Sequence, residues 1–81
     1  MSPDRPPQED FPDARAALSA NLVRFRRERG WSQEKLAFES GLERSFIAHV
    51  ERQARNISLD SITRLARTLG VPVHVLLTPK D

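Results

Sequence analysis

Apolar side chains recur at helical spacing through most of this chain, and glycines and polar residues divide the recurrences into short segments. Leu18, Leu22 and Phe25 stand at i, i+4 and i+7, flanked by Ala14 and Asn21, which puts one apolar stripe on a first helix. Asp13 can cap its start and Gly30 can end it, so this helix is expected over about Ala14–Arg29. Ser32 is a good cap for a second, short helix over roughly Gln33–Ser40, with Glu34 in the first turn, where the helix dipole favours a carboxylate. The third residue after the cap is Lys35, so the reciprocal capping box is incomplete. Gly41 stops this helix and tolerates a positive φ.

A third helix is expected to begin near Glu43 or Arg44, with Ile47 and Val50 on a narrow apolar side. Gln53 to Ile57 reads as a polar connection. Ser58 then caps a fourth helix whose buried face is Leu59, Ile62, Leu65, Ala66 and Leu69, and Gly70 stops it. Pro72 suits the first turn of a last short helix through about Leu77, carrying Val73, Val75 and Leu76. The valines there would serve a strand as well. No clean alternation appears elsewhere, so the expected fold is all-α, a compact bundle of five helices.

The segment from Gln33 to Arg52, QEKLAFESGLERSFIAHVER, holds two short helices separated by a glycine-led turn. Two such helices can cross steeply only if the crossing point carries a small side chain, and Ala37 supplies one. Leu36, Leu42, Ile47 and Val50 then face the core, and the second helix presents Arg44, Ser45, Ala48 and His49 outward. This is the layout of a helix-turn-helix whose second helix enters the major groove of DNA. Arg44 has the shape to take O6 and N7 of one guanine, or it binds phosphate alone. His49, one turn further along the same face, suits a base or a phosphate better than a metal, because His74 is the only other histidine and there is no cysteine. Phe46 can touch a thymine methyl or pack beside the second helix against Phe38; packing is preferred.

Composition sharpens the picture. The 81 residues allow one domain with a modest core, which favours pairing with another subunit. Residues 1–13, MSPDRPPQEDFPD, contain four of the six prolines and have no period, so they read as a disordered acidic tail ahead of a domain over 14–78. Asp4, Glu9, Asp10 and Asp13 against Arg5 give the tail a net −3, and the remaining 12 Lys+Arg against 7 Asp+Glu give the rest +5. Eleven of the 13 basic residues are Arg, the side chain best shaped for bidentate phosphate and base contacts. Without cysteine there are no disulfides and no thiolate chemistry. No apolar run nears a membrane span and no signal sequence opens the chain, so a cytoplasmic protein is expected. Nucleophile elbow, glycine-rich phosphate loop and metal-ligand spacing are all missing, so neither an enzyme nor a cofactor is expected.

Taken together in order, LVRFRRERGWSQEKLA, SGLERSFIAHVER and RNISLDSITRLARTLGV make the chain from about Leu22 to Leu77 resemble the Cro/CI family of phage and bacterial repressors, the lambda-repressor-like or xenobiotic-response-element family. The compact size also resembles controller proteins of restriction-modification systems. The resemblance implies a transcriptional regulator that binds double-stranded DNA at a palindromic operator. It implies a structural salt bridge between Arg26 on the first helix and Glu51 after the last core residue of the third. It implies a phosphate contact from Gln33, base contacts from Arg44 and Ser45 with His49 beside them, and backbone contacts from Arg55 and Asn56, which could instead be ordinary loop residues. Relatives often carry Ser or Thr where this chain has Glu43, and Gly or Asn where it has Gln53. The first departure loses a cap and the second questions the loop geometry.

One recognition helix touches only a few base pairs, so a two-fold homodimer is expected to read two half-sites about one helical turn apart. Its interface is expected around Ile57 and the last helix, with Val73, His74 and Leu77, because apolar residues there exceed what one small core needs. The alternative function is an antitoxin or protein-interaction module on the same fold, with the N-terminal tail as the partner-binding segment.

Overall fold

The computed structural model describes residues 13–53 and 57–80. Five helices follow one another: α1 (Ala14–Glu28), α2 (Gln33–Ser40), α3 (Arg44–Glu51), α4 (Leu59–Leu69) and α5 (Val73–Leu76), with no strand among the described residues. The expected all-α bundle is the observed architecture. The N-terminal tail up to Pro12, and Ala54, Arg55 and Asn56, lie outside the described residues.

Local chemistry sets most helix ends. Asp13, Ser32 and Ser58 each sit in extended backbone, and their side chains accept from the backbone N–H of Arg15, Lys35 and Ser61. Glu43 precedes α3 with no side-chain cap bond, as its chemistry predicted. α1 stops one residue short of the expected Arg29, which becomes the C-cap. Gly41 closes α2 at φ 74°, letting the N–H groups of both Gly41 and Leu42 return to the Ala37 carbonyl at 2.9 and 3.1 Å. A Cβ there would meet only the end of the flexible Arg64 side chain, at 3.1 Å, so the left-handed backbone is what calls for glycine at this turn. Pro72 takes extended backbone just ahead of α5 rather than a place inside its first turn, and Val73–Leu76 is helix, not strand.

The core is one cluster. Leu18 and Leu22 of α1 meet Leu36 and Ala37 of α2, Ile47 and Val50 of α3, Ile62, Leu65, Ala66 and Leu69 of α4, and Leu76 of α5. Truncating a side chain such as Leu22 or Leu65, both without solvent exposure, would cost about 2–5 kcal/mol. Phe25, Trp31, Leu42 and Phe46 close its edges. Two expectations need correction. Leu59 is 73 % exposed, because the first turn of α4 begins beyond the edge of the core. Phe46 does pack on the core, but Phe38 stands in solvent at 80 % exposure under the Lys35 ammonium, 5.9 Å from its ring.

α3 is fixed from two sides, by α1 and by α2, while α4 supports α2 and α5 joins α1 to α4. Asn21, buried within the α1 stripe, ties the end of the chain to α1. Its amide nitrogen lies 3.1, 2.9 and 2.8 Å from the carbonyls of Val75, Leu76 and Thr78, and its oxygen accepts from Arg24 at 3.0 Å. Arg29 donates to the Leu69 carbonyl, which caps the end of α4 with a positive charge.

Candidate nucleic-acid interface

With Ile47 and Val50 fully buried, helical geometry turns Arg44, Ser45 and His49 to solvent, and all three are exposed. Arg52, just past the end of α3, is exposed as well. The outer face of α3 therefore carries a guanidinium, a hydroxyl and an imidazole, which together offer donors and an acceptor to base edges. α3 is eight residues long and its outer face projects from the bundle, so it fits a groove rather than forming one. A surface cavity of about 380 Å³ lies between α1 and Pro79–Lys80, and no residue of α2 or α3 lines it. Among the described residues, no three His, Asp or Glu side chains gather as a metal site, and no helix is long and apolar enough to cross a membrane.

Beneath the exposed face lies a charged cluster. The Nε and Nη2 of Arg26 donate to the two carboxylate oxygens of Glu51 at 2.6 and 3.0 Å, and Nη1 donates to the Trp31 carbonyl at 2.8 Å. The side chains are only 12 % and 7 % exposed. Burial alone would push the Glu51 carboxyl up. The hydrogen bonds from Arg26 and Gln33, with the charges of Arg26 and Arg27, outweigh burial and hold it below the usual carboxylate range. The same pairing raises Arg26, so both partners stay charged.

Gln33 belongs to this cluster. Its side-chain amide donates to Glu51 Oε1 at 2.9 Å, using one of its two amide protons. Ser19 closes the cluster by donating its hydroxyl to the Glu51 backbone carbonyl at 2.5 Å. The structure thus brings Arg26, Gln33 and Glu51 together at one corner, where α1, the start of α2 and the end of α3 meet. Sequence reading missed the Gln33–Glu51 and Ser19–Glu51 links. It also passed over Asn21 as a clamp, although a lone amide inside an apolar stripe is a legible signal of a buried polar group needing partners.

Arg55 and Asn56 lie outside the described residues. Gln53, two residues ahead of Arg55, has φ 63°, the left-handed conformation that Gly or Asn would hold more easily. Of the four residues expected at a dimer interface, Ile57 and Leu77 line a groove of about 240 Å³ with Leu18 and Ile62, Val73 is half-buried on α5, and His74 is exposed. Leu59 adds an apolar side chain at the start of the neighbouring helix.

Comparison with known proteins agrees with this geometry. The family model for Helix-turn-helix matches residues 22–76. A hypothetical transcription factor of Neisseria meningitidis is 46 % identical over 70 residues, 86 % of this chain and 66 % of that protein. The crystal structure of a hypothetical transcription factor from Neisseria superposes with a TM-score of 0.79 at 43 % identity, covering 98 % of this chain and 88 % of that one. The control protein C.SmaI of Serratia marcescens is 41 % identical over 68 residues, 84 % of this chain and 81 % of that protein. The biofilm master regulator SinR, solved in complex with DNA, superposes with a TM-score of 0.71 at 29 % identity, covering 75 % of this chain and 98 % of that one. The chain thus spans about two thirds of the length of the Neisseria meningitidis protein.

Proposed function

This chain belongs to the helix-turn-helix family, and from that premise we propose that it is a sequence-specific regulator of transcription that reads the major groove of double-stranded DNA with α3. The observation that carries the reading is the outward face of α3, where Arg44, Ser45 and His49 stand exposed on a helix braced from both sides. Arg44 takes the two acceptors of a guanine, Ser45 and His49 meet neighbouring bases or phosphates, and Gln33 gives its second amide proton to a phosphate. Arg55 and Asn56 follow on the backbone. The matched relatives are transcription regulators and a control protein, and SinR was crystallised with DNA. The chain is a regulator and not an enzyme.

The protein acts as a cytoplasmic homodimer on a palindromic operator, with the domain over 14–78 as the binding unit. Ile57, Val73, His74 and Leu77 meet their counterparts across the two-fold axis. The half-buried apolar groove at Ile57 and Leu77, with Leu59 exposed beside it, supports this interface.

Selection of bound duplexes from a random pool by the purified full chain tests the function. Enrichment of one inverted repeat, with half-sites centred about 34 Å apart, is the expected result. Retention of all duplexes alike overturns sequence-specific binding. Sedimentation at tens of micromolar, with and without the selected duplex, tests the dimer, and a monomer in both conditions overturns it.

A further inference from the structure

One side of α1 runs along the end of α3. Ser19, Val23, Arg26 and Arg27 follow at i, i+4, i+7 and i+8 on that side. Ser19 and Arg26 mark the contact, the first by its bond to the Glu51 carbonyl and the second by its two bonds to the Glu51 carboxylate. Arg27 lies one turn beyond Val23. Unlike Arg26 it is exposed, and it makes no ion pair among the described residues. Its charge also helps hold the Glu51 carboxyl down.

Glu51 has no oxygen left to bond Arg27: its oxygens are taken up by Arg26 and Gln33, and its side chain is 7 % exposed. A guanidinium without an ion pair among the described residues therefore stands on α1 directly after Arg26, whose partner Glu51 also holds the Gln33 amide. Desolvated anions bind most strongly where positive charge is uncompensated, and duplex DNA presents phosphates on either side of a helix lying in its major groove.

We propose that Arg27 is a DNA contact, clamping the backbone phosphate that flanks the base-reading helix at the Gln33 corner. The assignment rests on the DNA-binding reading above and extends the contact surface from α2 and α3 onto α1. Arg27 carries no sequence preference, since it lies off the face that meets the bases.

Fluorescence anisotropy with the full chain, on the selected duplex and on a scrambled one at several salt concentrations, tests it. Arg27→Ala should weaken both duplexes by the same factor and make the slope of log K against log salt shallower by about 0.9. The gap between wild type and variant should then narrow about threefold from 50 to 200 mM salt. Arg27→Lys should restore the slope, Arg67→Ala on α4 should leave it at the wild-type value, and the melting temperature of Arg27→Ala should stay with wild type. An unchanged slope in Arg27→Ala overturns the assignment. So does an equal change in Arg67→Ala, which would report net charge alone, or a shifted base preference, which would make Arg27 a reader. Wild-type protein that binds neither duplex overturns the DNA-binding reading itself, and the assignment with it.

Discussion

Arg26 grips Glu51 through two parallel N–H···O bonds of 2.6 and 3.0 Å, and the pair joins α1 to the end of α3. Both side chains are nearly covered, so the interaction lies well above a surface ion pair, which contributes under about 1 kcal/mol. Glu51→Ala should cost about 3 kcal/mol, because it strands the Arg26 charge and leaves the Gln33 amide without its acceptor. Glu39→Ala removes only a solvent-exposed partner of Lys35 and should shift stability by less than about 0.5 kcal/mol. Thermal melts of the two variants beside wild type check the difference.

The same pair gives stability a pH dependence of known sign. Folding holds the Glu51 carboxyl below its ordinary range, so the folded state favours the ionised form. That stability is fully present above the ordinary carboxylate value and is lost as pH falls through the lower value of the folded protein. Glu51→Gln cannot titrate there. The difference in unfolding free energy between wild type and Glu51→Gln should therefore be constant near neutrality and shrink on acidification. Urea melts from pH 7 down to pH 3 read it, and a difference that grows toward low pH would contradict the assignment.

Asn21 gives a further prediction. Its amide serves the carbonyls of Val75, Leu76 and Thr78, which lie more than fifty residues away in sequence. Asn21→Ala should cost about 1–3 kcal/mol, chiefly by taking the amide donor from the buried Leu76 carbonyl. Asn21→Asp is nearly the same size but brings a carboxylate against three carbonyls, so it should cost more than the alanine. Amide exchange in α5 should accelerate in both variants before exchange in α4 does.

Gln53 holds φ 63° with a side chain that disfavours it. A left-handed conformation costs an L residue roughly 1–2 kcal/mol, and glycine avoids this while adding entropy to the unfolded chain. Gln53→Gly should stabilise the fold by up to about 1 kcal/mol, and Gln53→Val should destabilise it, as read from denaturant midpoints at unchanged slope.

The parts of this fold legible in the sequence are those decided within a few residues. Ser32 and Ser58 cap the nearest N–H groups, Gly41 turns the chain, and the stripe at Leu18, Leu22 and Phe25 follows from one helical period. Leu59 misled because periodicity extends a stripe without showing where the core ends; Ser58 starts α4 outside it. The Arg26–Glu51 pair came from family resemblance, since nothing local links residues 25 apart. Asn21 and the Gln33–Glu51 link depend on three elements meeting at once, and only tertiary packing supplies that. Gln53 holds a left-handed backbone that glycine adopts more easily, and Glu43 leaves α3 without a side-chain cap.

Arg44 tests whether the outer face of α3 reads sequence. It is the first residue of the helix, exposed, and without an ion pair among the described residues. Two features could claim its guanidinium on DNA. A guanine offers O6 and N7 in a geometry that a fixed fork matches, whereas a phosphate offers charge without base identity. The first role predicts that Arg44→Ala loses about 1–3 kcal/mol on the selected operator, keeps its weak affinity for scrambled DNA, and relaxes preference at one base position. The second predicts equal losses on both duplexes and a shallower salt slope. Arg44→Lys separates them further: lysine keeps the charge a phosphate needs but not the planar fork a guanine selects. The expected outcome is loss confined to the operator, with little rescue by lysine. If losses are equal and lysine restores them, Arg44 is a clamp, and base reading falls to Ser45 and His49 on the same face.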